Sequence, residues 1–154
     1  MEIQRHATLR WLSSPPSGRA RLAVESGVFT ELPLSVAEGE HPNPGETTPG
    51  ELLAAAHCAF LAVAVAERLA RDGTPATELT VDGTVSIDTE VGDQHVESIN
   101  LGLRGRVPGL DAATFTSTVE EEMSRLSHGL GLERSVKFSA AAELLGPRGD
   151  AKSP

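Results

Sequence analysis

The sequence predicts an α+β fold of antiparallel sheets packed on two helices, and three observations carry that expectation. Short segments that alternate apolar and polar residues are separated by Gly- and Pro-rich turns, as in antiparallel hairpins. One long apolar helix stands between a group of three such segments and a group of two. A second helical segment, acidic on one side, precedes a last alternating stretch, so hairpins and helices occupy separate blocks instead of strict βαβ repeats.

Each element has a local reason. Residues 3–11 alternate imperfectly and read as a strand, residues 13–18 (SSPPSG) as a turn, and residues 19–24 (RARLAV) as a half-buried strand. Glu25, Ser26 and Gly27 form a tight turn into a third strand over 28–36. Its internal proline assigns it to an edge, and the three make a meander. Residues 38–48 are polar and rich in Pro and Gly, hence a loop. Thr48 then caps a helix, with Pro49 at its first position and Glu51 three residues after the cap: a capping box with the favoured proline start. Gly73 closes that helix in a left-handed turn. Residues 79–89 and 96–107 are two alternating strands, residues 108–111 a turn, residues 112–127 the second helix. Its Glu120–Glu122 run is expected on a solvated face. Gly129 and Gly131 break it before a closing strand at 134–144.

The 154 residues suit one core of ordinary size, a single domain over 1–146 with a frayed tail at 147–154. A formal charge of −9 argues against nucleic acid or an anionic membrane as partner. The apolar part of residues 52–66 is short of the ~20 residues a bilayer span needs and carries His57, so a core helix is expected. One cysteine cannot form an internal disulfide, and residues 1–10 lack the apolar run of a signal peptide; a reducing cytoplasm is the expected compartment. Five scattered histidines with no ligand spacing predict no metal, and residues 45–50 lack the strand and lysine of a phosphate loop, so no cofactor is expected. Ser124, Ser127 and His128 cluster without a recognisable orienting acid or oxyanion hole, and helix capping and chain reversal account for them.

The segment TTPGELLAAAHCAFLAVAVAERLA, residues 47–70, is the most informative in the chain. A helix apolar all round needs cover on every side, and one small sheet covers only one; two copies sharing a core would supply the rest. Near its middle sits Cys58, the only cysteine.

Glu25-Ser26-Gly27-Val28, then Thr47-Thr48-Pro49-Gly50-Glu51-Leu52-Leu53 with Ala55-Ala56-His57, then Val107-Pro108-Gly109-Leu110-Asp111 resemble the OsmC/Ohr family of osmotically inducible and organic-hydroperoxide-resistance proteins. The similarity runs over roughly residues 2–144. It implies an intertwined homodimer with long central helices. It also implies thiol-dependent reduction of organic hydroperoxides, recycled by a dithiol such as a lipoylated protein.

That chemistry needs a thiolate beside a cation held by a carboxylate, and a second thiol to resolve the sulfenic acid. In the family the first cysteine follows the helix-start proline by eleven residues, which is Phe60 here, and the second falls at Leu126. The carboxylate position after the proline is Gly50, with Glu51 next to it, and Arg19 matches the arginine of some members. Cys58 is two residues short of Phe60, a rotation of roughly 200° along a helix, so it should point away from the family's pocket and pack as a small apolar group. His57 matches a histidine of OsmC-type relatives and is expected to be structural. Three functions follow: a non-catalytic dimer whose pocket, lined by Phe60 and Leu126, takes an apolar small molecule or is filled in; a one-cysteine peroxidase acting on organic hydroperoxides through Cys58 and reduced by an external thiol; or a structural or interaction protein.

Overall fold

A computed structural model describes residues 1–12, 20–35, 43–89, 95–131 and 134–147. Contacts divide the chain into two compact units, Met1–Leu52 and Leu53–Pro154.

The first unit is the expected meander. Strands β1 (Ala7–Trp11), β2 (Ala20–Val24) and β3 (Leu32–Leu34) form an antiparallel sheet in that order. Ala7 stands opposite Val24, and Ala20 stands opposite Leu34. The Glu25–Gly27 turn forms as predicted, with the Gly27 N–H donating to the Val24 carbonyl at 2.9 Å and Gly27 at φ 72°. Two strands are shorter than the alternation suggested. β1 begins at Ala7 instead of residue 3, and β3 keeps three residues around Pro33, whose missing N–H confines it to the edge. The predicted turn at 13–18 lies outside the described residues.

Helix α1 (Pro49–Arg71) starts on the predicted capping box. The Glu51 N–H donates to Thr48 Oγ1 at 3.1 Å, and the Thr48 N–H donates to Glu51 Oε2 at 3.0 Å. Gly73, at φ 81°, takes the left-handed conformation after its last turn. At 23 residues, α1 is about 35 Å long, and by length and composition alone it could cross a membrane. Length therefore does not exclude a span, contrary to the sequence argument. One face of α1 packs into the protein, where His57, Leu61, Val65 and Leu69 are buried.

In the second unit, β4 (Glu78–Asp88) and β5 (His95–Arg106) make the expected hairpin, from Glu78 opposite Arg106 to Asp88 opposite His95. Helix α2 (Ala112–Leu130) follows. Asp111 caps it by accepting from the Thr114 N–H at 2.9 Å and the Thr114 hydroxyl at 2.7 Å, and Gly131 closes it at φ 67°. The helix runs past Gly129, which was expected to break it, because a glycine weakens a last turn without forbidding it.

The sheet is not purely antiparallel. Strand β6 (Lys137–Leu144) lies parallel to β5, with Ser98 opposite Lys137, in the order β4-β5-β6. The reason is the intervening α2: it carries the chain back along the sheet, so β6 re-enters in the direction of β5. Leu61, Val65 and Leu69 of α1 meet Ile99, Leu101 and Leu103 of β5 and Phe115, Val119 and Met123 of α2 in one core. Gly105 is the contact point for Phe115: a Cβ at that position would lie 2.7 Å from Phe115 Cζ.

Candidate functional site

Helix α1 presents three neighbouring residues of interest to three different environments, because successive side chains turn by about 100°. His57 is buried at 3% exposure. Its Nδ1–H donates to the Leu53 carbonyl at 2.8 Å. Nε2 is buried without a partner among the described residues, and the ring stands 6.0 Å from that of Phe138. This is the geometry of a helix-packing histidine.

Cys58 is half-buried, not fully buried as its apolar surroundings suggested. Its sulfur sits against the backbone of β4: a Cβ added at Gly83 would come 2.6 Å from Sγ. Burial, and then the nearby Asp82 carboxylate, push the thiol above its ordinary range. At i±3 and i±4 it has Ala55, Leu61, Ala54 and Ala62, and so no cation from its own helix. Both influences favour the protonated thiol over the thiolate.

Phe60 faces the other way, as the helical rotation requires, and is 53% exposed. It lines a groove of about 610 Å³ together with Val63 and Leu126, on a floor of Ala56, Ala59 and Ala64. The two positions that the resemblance assigns to the family's thiols, 60 and 126, thus come together from α1 and α2. Cys58 does not join them.

The remaining sequence candidates divide. Glu51 is engaged by the cap and by the Thr47 hydroxyl, which donates to its Oε2 at 3.1 Å. Arg19 lies outside the described residues. Among the described residues, no three His, Cys, Asp or Glu side chains cluster as metal ligands would. The Ser127 hydroxyl donates to the Ser124 carbonyl at 2.9 Å, and the His128 carbonyl accepts from the Gly131 N–H at 3.0 Å, so both serve the end of α2.

One group at the groove was not foreseen. Glu122 is buried, at 6% exposure, although its neighbours Glu120 and Glu121 are exposed. Arg68 of α1 and Arg125 of α2 each hold its carboxylate at 3.4 Å. Arg68 also pairs with Asp72 at 2.7 Å and Glu121 at 3.2 Å. A run of three glutamates reads as a solvated face in one dimension. Only the approach of Arg68, 54 residues away, makes burial of the third tolerable. A second cavity, of about 710 Å³, lies around Arg106, Pro108 and Leu144. Among the described residues its one cation, Arg106, is taken by Glu78 at 3.0 Å and by the Gly146 carbonyl.

No protein-family model matches the chain. Among known proteins it is similar to peroxiredoxin OsmC of Escherichia coli strain K12. They are 28% identical over 121 residues, 79% of this chain and 84% of that protein. Solved structures extend the likeness. An organic hydroperoxide resistance protein from Elizabethkingia anophelis superposes with a TM-score of 0.72 at 17% identity, over 94% of this chain and 99% of its own. An OsmC-like protein from Mycoplasma pneumoniae superposes with a TM-score of 0.71 at 15% identity, over 95% and 100%. The fold is that of the OsmC/Ohr proteins. The OsmC/Ohr resemblance read from the sequence therefore holds over most of the chain.

Proposed function

We propose that this chain acts as a single OsmC-like domain over residues 1–146, in a cytoplasmic homodimer, and binds an apolar small molecule instead of running two-cysteine peroxidase chemistry. The observation that carries this reading is the meeting of Phe60 and Leu126 in one apolar groove of about 610 Å³. That volume falls within the range of small-molecule sites. Its apolar walls, Phe60, Val63 and Leu126 with the alanines, offer a hydrocarbon favourable burial. The dimer has separate support. Phe60 and Val63 stand 53% and 56% exposed on a helix rich in Ala, Leu and Val, a face that one chain leaves uncovered. The ligand pocket then lies at the dimer interface.

The competing reading, a one-cysteine hydroperoxide reductase recycled by an external dithiol, asks Cys58 to be a thiolate. Its packing on Gly83 and the Asp82 carboxylate both work against that.

Two measurements test the proposal together. Turnover of an alkyl hydroperoxide with dithiothreitol or a lipoylated protein should be at background level and unchanged in Cys58→Ser. A fluorescent naphthalene probe should bind the native protein saturably and lose affinity in Phe60→Asp. Turnover abolished by Cys58→Ser would overturn the proposal in favour of the one-cysteine peroxidase.

A further inference from the structure

The α1/α2 face described above has a charge pattern that its apolar residues do not explain. Glu67 and Arg125 line the same groove as Phe60, Val63 and Leu126. Glu67 is exposed and makes no ion pair among the described residues. The Arg125 side chain is 62% exposed and among the described residues has one ionic contact, at 3.4 Å, to a carboxylate that Arg68 holds equally closely. Most of the five N–H donors of Arg125 are therefore unspent. An apolar centre thus carries one free carboxylate and one under-used guanidinium on the same patch.

Such a patch is complementary to itself. In a two-fold interface residue i of one copy meets residue j of the other, and j meets i. Two copies placed face to face over the Phe60–Val63 stripe can satisfy both groups twice. A second copy is also the partner the charges favour. Each chain carries −9, so two copies repel in general, and a contact face needs its own opposite charges to offset that. A strongly acidic or basic partner would leave one of the two groups opposed by its own sign.

We infer that reciprocal ion pairs between Glu67 of one copy and Arg125 of the other flank the apolar stripe and set the register of the homodimer, closing the groove into a pocket. The inference rests on the proposed homodimer and adds the residues that specify it.

The test uses two variants of the full-length protein, Glu67→Arg and Arg125→Glu, each with its circular dichroism spectrum and melting curve recorded first. At low ionic strength, each variant alone places like charges opposite each other twice per dimer. Its self-association, read by analytical ultracentrifugation, should weaken at least about ten-fold. Mixed one to one, the two variants restore both opposite-charge pairs. Native mass spectrometry should then show a heterodimer of near wild-type affinity in excess over either homodimer. Because Arg125→Glu also disturbs Glu122 within its own helix, Arg125→Gln serves as the control: mixed with Glu67→Arg it restores one opposite-charge pair instead of two and should rescue less than Arg125→Glu does. A wild-type dimer whose variants associate unchanged, or whose mixture shows no preference for the heterodimer, would overturn the pairing and leave the dimer standing. A monomeric wild type would overturn both.

Discussion

The two faces of α1 are built from nearly the same residue types and do different work. One face carries His57, Leu61, Val65 and Leu69, all at or below 3% exposure, against β5 and α2. The other carries Phe60 and Val63 at more than half exposure, with alanines between them. Hydrophobicity alone does not distinguish them. The difference lies in what the rest of the second unit supplies. Ile99, Leu101 and Leu103 cover the first face, whereas among the described residues the second shares its groove with Glu122, Arg125 and Leu126 of α2 and with Glu67 of α1 itself. The covered face sets the fold, and the uncovered one is free to take function.

Substitutions can break that contrast or sharpen it. The largest effect should come from the covered face. Leu61→Ala removes a fully buried side chain, and equilibrium denaturation should show a loss of about 2–5 kcal/mol. The matching change on the other face, Phe60→Asp, should keep the helical content while lowering apolar-probe affinity about ten-fold, the scale of one lost apolar contact. Equal unfolding by both would erase the distinction between the faces.

Next in size is the edge between them, where Cys58 Sγ lies on Gly83. Gly83→Ala places a methyl 2.6 Å from the sulfur and should cost about 1–3 kcal/mol by overpacking. The double variant Gly83→Ala/Cys58→Ala should recover much of that loss, with a coupling of about 1 kcal/mol or more in a double-mutant cycle. Simple additivity would show that the sulfur does not lie on that strand.

A smaller effect is expected from pH acting on Cys58. The folded state holds the thiol proton more tightly than the unfolded chain does, because burial and Asp82 disfavour the thiolate. Below the unfolded thiol range, about pH 8.5, this has no influence on stability. Above it the unfolded chain ionises first, so wild-type stability should fall with rising pH relative to Cys58→Ser. Labelling of the native thiol by an aromatic disulfide should be slow at neutral pH and fast once the chain unfolds. Rapid native labelling would contradict the packing of Cys58.

The smallest effect should come from the cap of α2. Thr114 donates to the Asp111 carboxylate from its side chain and its backbone, and this holds Asp111 below its usual range. That contribution is present above the unfolded carboxylate range and is lost as pH falls through the lower folded value. The melting-temperature deficit of Asp111→Asn should therefore shrink under strongly acidic conditions.

Much of this was legible in the sequence because its causes are local. The capping box at Thr48 and Glu51, the glycine stop at Gly73, the Glu25–Gly27 turn and the β4–β5 hairpin each depend on residues close along the chain, and all formed as read. The opposite headings of Cys58 and Phe60 also followed, because helical rotation fixes them once the helix is known. Other features depend on contacts distant in sequence. The parallel entry of β6 is set by the path of α2 over the sheet, and the burial of Glu122 by Arg68 arriving from the other helix. Which face of α1 is covered could not be read either. A helix apolar on every side has no polar face to mark its exposed side, so the choice fell to the residues that the sheet and α2 placed against it.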